Sequence, residues 1–214
     1  MTTNSFKHRE AWLHAVVEQL RRIFTSHGAT IPERIRITCG FPSTRPFSAK
    51  RRRLGECWPE ANSADGHFEI MISPVLDDSM RVAGVLAHEL VHATVGTQHG
   101  HKGPFARLAK AIGLEGKMTA TTEGDAFKRA VGPILEALGP YPHAELSNKA
   151  RSKQGTRLIK LQCPTCPYTV RITRKWLDEV GAPDCPSHGD QMKQSESQEK
   201  RSEVRSGNLD PQPP

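Results

Sequence analysis

Apolar residues recur at helical spacing between residues 6 and 27. Trp12, Leu13, Val16, Val17, Leu20, Ile23 and Phe24 share one face, and His27-Gly28 ends the run. The next two apolar runs have a period of two. Ile35-Arg36-Ile37-Thr38-Cys39 and Phe68 to Ser73 alternate as strands, the second stopped by Pro74. Between them, the Pro-, Arg- and Gly-containing stretch from Arg45 to Trp58 reads as a loop leading into a further strand. Helical periodicity returns after Asp77-Asp78-Ser79, a capping sequence. From Val82 to Thr97 there is no Lys or Arg, and Glu89 is the only acidic residue. Val82, Val85, Leu86, Leu90, Val91, Ala93 and Val95 put apolar groups nearly all round this helix, which predicts burial in a core. Phe105 to Ile112 predicts a short helix opened by Gly103-Pro104, and Glu123 to Leu138 another, interrupted or restarted at Gly132-Pro133. Gly139-Pro140-Tyr141-Pro142 closes a first domain over residues 1–142. A basic linker over 143–157 leads to a small domain over 158–192, in which Tyr168 to Ile172 alternates as a strand. From Lys193 to Pro214 Gln, Ser, Glu, Lys and Pro dominate, so a disordered tail is expected. No internal repeat is visible.

The buried helix carries His88-Glu89-Leu90-Val91-His92, an H-E-x-x-H pattern. Residues four apart lie one turn above each other, so both imidazoles can hold one Zn²⁺ while Glu89 sits beside them, placed to act on water. Two histidines and a carboxylate inside a core helix are costly without partners, and a cation is the simplest one. The competing reading is a core helix whose histidines bond to backbone or side chains. Catalytic zinc uses three protein ligands and one open position. His99 and His101, in the Gly/His-rich segment after Gly96, both qualify by spacing. The metzincin pattern fails, because it needs a histidine where Gln98 stands.

A second candidate site lies near the C-terminus. Cys163-Pro164-Thr165-Cys166 and Cys185-Pro186-Ser187-His188 give C-x2-C and C-x2-H separated by 18 residues. Two such knuckles read as a zinc ribbon with four ligands, Cys163, Cys166, Cys185 and His188, closing a structural site. The competing reading is a disulfide or free thiols.

Composition then narrows the setting. The 214 residues allow one sizeable domain and a small one. No stretch reads as a membrane span or a secretory signal, and five cysteines without a disulfide pattern favour a reducing, cytoplasmic compartment. The net charge is +7. Arg45 and Lys50-Arg51-Arg52-Arg53 form one basic run. From Lys149 to Lys175 eight basic residues, among them Lys160, Arg171, Arg174 and Lys175, occur with no acidic one. A basic block beside a ribbon is the electrostatic footprint expected for a phosphate backbone, so Lys160, Arg171, Arg174 and Lys175 are candidate nucleic-acid contacts.

Leu86-Ala87-His88-Glu89-Leu90-Val91-His92-Ala93, with His101 and Phe105 four residues beyond it, resembles the SprT-like metalloprotease domain, which includes the Spartan proteases. Gly55-Glu56-Cys57-Trp58, Glu69 to Pro74 and Leu114-Glu115-Gly116-Lys117 are similar to that pattern too, and the resemblance covers roughly residues 10 to 190. Lys102 departs from it, standing where the family usually has Gly. The resemblance implies an α+β, zincin-like metalloprotease domain with an active-site helix and a small sheet, followed by a small zinc ribbon. It makes His101 the third ligand and His99 a neighbour. It also implies a DNA-associated protease acting on DNA-bound or crosslinked proteins.

The expected protein is thus a monomeric zinc metallopeptidase with one catalytic and one structural Zn²⁺, protein substrates and DNA as partner. Its place is the cytoplasm, at the nucleoid in a bacterium or inside the host for a phage. The strand Glu69–Ile72 is expected to pair with an extended substrate. The alternative is a non-catalytic, zinc-containing nucleic-acid-binding protein of transcription or replication; a metallohydrolase acting on something other than protein is a further one.

Overall fold

The computed structural model describes residues 6–48, 50–147 and 158–194. The protein is mixed α+β and divides into two compact units, residues 1–150 and 151–214. No helix of the described residues is long and apolar enough to cross a membrane.

The first unit is built on a three-stranded sheet. Helix α1 (Arg9–Ser26) buries Trp12, Leu13, Val16, Val17, Leu20 and Phe24, the face its periodicity predicts. Strands β1 (Ile35–Cys39), β2 (Gly55–Trp58) and β3 (Phe68–Ile72) are ordered β1-β3-β2, with β3 parallel to β1 and antiparallel to β2. β3 is therefore paired on both sides. Its alternation is real, with Phe68, Ile70 and Ile72 buried, but its backbone has no free edge. The expectation that Glu69–Ile72 pairs with substrate is corrected: β2 is the edge strand bordering the cleft described below.

Helix α2 (Ser79–Val95) starts at Asp78, whose carboxylate accepts from the Arg81 N–H at 2.7 Å, and stops at Gly96, whose φ of +92° suits glycine. It packs on β2 and β3 and buries eleven side chains, nine of them apolar or glycine. A short 3-10 turn (Thr97–His99) leads to α3 (Pro104–Ala111), with Pro104 in its first turn. A hairpin follows, β4 (Leu114–Lys117) paired with β5 (Ala120–Glu123). Helix α4 (Asp125–Leu138) is continuous through Pro133, contrary to the expected break. Pro133 lies on the exposed face, where losing one helical hydrogen bond costs least, while Phe127, Val131 and Leu135 keep the buried stripe intact.

The chain stays on this unit beyond Pro142. The Leu146 N–H donates to the Pro74 carbonyl at 2.8 Å, and His143 lies 2.8 Å from the same carbonyl and 3.2 Å from Arg9. Residues 143–147 thus belong to the first unit; 148–157 of the expected linker lie outside the described residues.

The second unit is a three-stranded sheet, β6 (Leu158–Gln162), β7 (Thr169–Thr173) and β8 (Lys193–Gln194), ordered β7-β6-β8, with helix α5 (Arg174–Val180). Ile159, Leu161 and Met192 make its small core. Lys193 and Gln194 pair with β6, so the expected tail does not begin at 193; residues 195–214 lie outside the described residues.

Candidate metal centre and its cleft

His88 and His92 share one face of α2, and the turn after Gly96 brings His101 back over them. The Nε2 atom of His101 lies 3.2 Å from that of His88 and 3.2 Å from that of His92. His99, exposed on the preceding turn, is not in the group. Three ring nitrogens this close cannot all be satisfied by one another in any set of tautomers, a crowding that a cation relieves. Three nitrogens about 3.3 Å apart are what bond lengths near 2.05 Å and tetrahedral angles require. Burial, and then the neighbouring imidazoles, lower His88 to about 3; burial and His101 lower His92 to about 4. Both rings are therefore neutral at ordinary pH, as ligands must be.

The shell beneath is also built. Thr121 Oγ1 on β5 lies 2.9 Å from His88 Nδ1, which leaves Nε2 free to ligate when Nδ1 carries the proton. The Phe105 ring, fully buried, sits 4.3 Å from His92, 4.9 Å from His88 and 5.0 Å from His101 between centroids. His92 Nδ1 has no partner among the described residues. β5 is held to α2 by Arg81, which donates to the Thr121 carbonyl at 3.0 Å and to Glu123 at 2.6 Å.

Glu89 stands beside the imidazoles, buried at 7 % exposure. Burial pushes its carboxyl up to about 8, with Arg53 pulling down and Glu56 pushing up. Gly55 on β2 makes room for it. Glu56 next to it is occupied, accepting from the Ser43 N–H and hydroxyl at 2.7 and 2.8 Å and pairing with Arg53. His88, Glu89, His92 and His101 open into a cleft of about 980 Å³ bordered by β2, the loop before it and the β4–β5 hairpin. Sequence reasoning found the imidazoles and Glu89 but missed Thr121, and it carried Gly55 only in the resemblance, without its approach to Glu89. It noted the Arg45–Arg53 run without connecting it to the histidines, whose cleft that run lines.

The second unit brings Cys163, Cys166, Cys185 and His188 together, their ligand atoms all within 4.8 Å of one another. Cys166 and Cys185 sulfurs are 3.9 Å apart and unbonded, and His188 Nδ1 lies 3.6 Å from Cys185 and 3.9 Å from Cys163. A tetrahedral ion with thiolate and imidazole bonds requires separations of about 3.5 to 3.8 Å. Burial raises the Cys163 thiol, but the Thr165 and Cys166 N–H groups outweigh it and hold the thiol below its ordinary value. Both groups, the three histidines of the first unit and the three cysteines with one histidine of the second, could hold a metal ion.

The expected nucleic-acid contacts lie in this second unit. Lys160 on β6 is opposite Arg171 on β7. Arg171, Arg174 and Lys175 are exposed; Arg174 is 3.8 Å from Asp178, and the Lys175 ammonium lies 5.1 Å from the Trp176 ring centre. No family model matches the chain, and no characterised protein or solved structure matches it significantly.

Proposed function

We propose that the chain is a zinc-dependent metallopeptidase of SprT-like type: a zincin-like domain followed by a zinc ribbon, DNA-associated and cleaving DNA-bound or crosslinked proteins. The observation that carries the reading is the convergence of three imidazoles, with His101 Nε2 3.2 Å from those of His88 and His92, beside the buried carboxyl of Glu89 in an open cleft. His88, His92 and His101 would hold the catalytic zinc, and Cys163, Cys166, Cys185 and His188 the structural one. When bound, the catalytic ion would polarise the scissile carbonyl and lower the pKa of the attacking water.

The remaining chemistry belongs to the chain. A cation at the imidazoles would favour the ionised form of Glu89, whose carboxylate oxygen would take the proton of the water and deliver it to the leaving amine nitrogen. The free edge of β2 pairs with an extended substrate backbone, a β-augmentation that lays the scissile bond along the cleft. Phe105 excludes water from beneath the imidazoles, and Thr121 orients His88. Lys160, Arg171, Arg174 and Lys175 contact phosphates. A purely structural first site, as in a non-catalytic binding protein, gives Glu89 and the cleft no task.

The test measures zinc and proteolysis together. Two zinc ions per chain are expected, one lost in His92→Ala and the other in Cys166→Ser. Cleavage of protein substrate, self-cleavage included, is measured with and without single- and double-stranded DNA. It should rise with DNA and vanish in Glu89→Gln. A folded, zinc-loaded chain that binds DNA and cleaves nothing sinks the peptidase reading.

A further inference from the structure

The cleft that holds the three histidines is bordered by cations. Arg45, Lys50, Arg51, Arg52 and Arg53 come from the loop before β2, and Arg81 and Lys117 from the side of α2 and the hairpin. Two of these are occupied: Arg53 by Glu56, and Arg81 by Glu123 and the Thr121 carbonyl. The side chains of Arg45, Lys50, Arg51, Arg52 and Lys117 make no hydrogen bond or ion pair among the described residues, and all five are exposed. Among the described residues the cleft's acidic lining is limited to Glu56 and Glu89. Glu56 is bonded to Ser43 and Arg53, and Glu89 sits buried at the imidazoles.

The backbone that carries the loop cations is tied down. Arg45 adopts a φ of +55°, and its carbonyl accepts from the Ser48 N–H at 3.3 Å and the Arg53 N–H at 3.4 Å, which closes the loop. Arg53 and Leu54 then run directly into β2 at Gly55. The unpaired charge of the loop is thus gathered at one end of the edge strand.

We propose that this cleft selects acidic polypeptide segments, with the acidic residues lying on one side only of the scissile bond. The proposal rests on the peptidase reading and adds the class of substrate to it. Like charges crowded at a cleft raise the local concentration of anions and speed their arrival. An anion could be a phosphate chain or a peptide; the free edge of β2 in the same cleft favours the peptide, because a strand edge offers main-chain donors and acceptors that only a polypeptide backbone matches in register. The asymmetry follows from the loop's position at the Gly55 end of the strand.

The experiment uses the full-length, zinc-loaded chain and three quenched fluorescent peptides of one sequence, with Glu residues before the scissile bond, with Glu after it, or with Gln at all those positions. Binding of the same peptides to Glu89→Gln is followed by fluorescence anisotropy, with labelled oligothymidylate as the nucleic-acid probe. One Glu peptide should exceed the Gln peptide about tenfold in kcat/KM and in affinity, as a few exposed ion pairs allow. The preference should disappear in about 1 M NaCl, where charges are screened beyond about 3 Å. It should also disappear in Lys50→Glu/Arg51→Glu/Arg52→Glu, and shrink in Lys117→Glu, a separate variant on the hairpin. Equal cleavage of the three peptides overturns the inference and leaves the peptidase reading standing. Oligothymidylate binding that collapses in the triple variant while peptide preference does not move assigns the loop to nucleic acid and overturns it too. No cleavage of any peptide, with no difference in their binding, removes both.

Discussion

A Cβ placed on Gly55 would stand 2.5 Å from Oε1 of Glu89 and 2.8 Å from the Val85 side chain. The edge strand can approach α2 this closely because residue 55 has no side chain, and the carboxylate of Glu89 occupies the space. Gly55→Ala must therefore displace Glu89 or push β2 outward. The proposed peptidase activity should fall at least about tenfold, the scale for a misplaced catalytic group, while metal binding at the histidines is retained. Full activity in a zinc-loaded Gly55→Ala would show that Glu89 works from another position.

Thr121 acts at His88 from 33 residues away in sequence. Thr121→Val keeps the shape and removes the hydroxyl, leaving Nδ1 without its partner. Zinc affinity, measured by competition with a chelator, should weaken by roughly 10- to 100-fold, the usual effect of losing such a partner. Zinc binding at the proposed cysteine site of the second unit should not change, which separates this loss from unfolding.

Phe105 supports all three imidazoles from below. Phe105→Ala opens a cavity in the core and should destabilise the first unit by about 3 to 5 kcal/mol, read as a lower urea midpoint in the zinc-free protein. Phe105→Leu should recover part of the stability but not the ring packing against His92. Equal zinc affinity in Phe105→Leu and the natural protein would mean the ring serves stability alone.

Glu10 tests the pH response away from the three histidines. Burial raises its carboxyl, but its own N–H and the Cys39 N–H, 3.1 Å away, with help from Arg9, bring the pKa below its ordinary value. A lowered folded-state pKa contributes stability above the unfolded value of about 4.3 and loses it as pH falls through the folded value. Glu10→Gln should thus lower the melting temperature at pH 7, and the gap to the natural protein should close below about pH 4. A gap that persists at low pH would assign the effect to packing.

The two ligand sets are local patterns, legible because their spacing is fixed by one helix turn or one knuckle. H-E-x-x-H needs only α2, and C-x2-C needs only a tight turn. The apolar stripes of α1 and α2 and the alternation of β1 and β3 are legible for the same reason, since burial selects residues at the period of the element. The β4–β5 hairpin was missed because it buries just Leu114 and Thr121, too little for a pattern. α4 crosses Pro133 because its buried stripe outweighs one lost hydrogen bond on a wet face. Sequence alone thus determined which side chains can ligate, which helix carries them and the excess of positive charge. Spacing left His99 and His101 open and the resemblance implied His101, which the fold brings to the other two imidazoles; tertiary structure decided the Thr121 and Phe105 supports, the edge position of β2 and the gathering of the Arg45–Arg53 cations at the cleft. Each of these depends on contacts between segments far apart in the chain, and no residue spacing encodes a distance that only packing fixes.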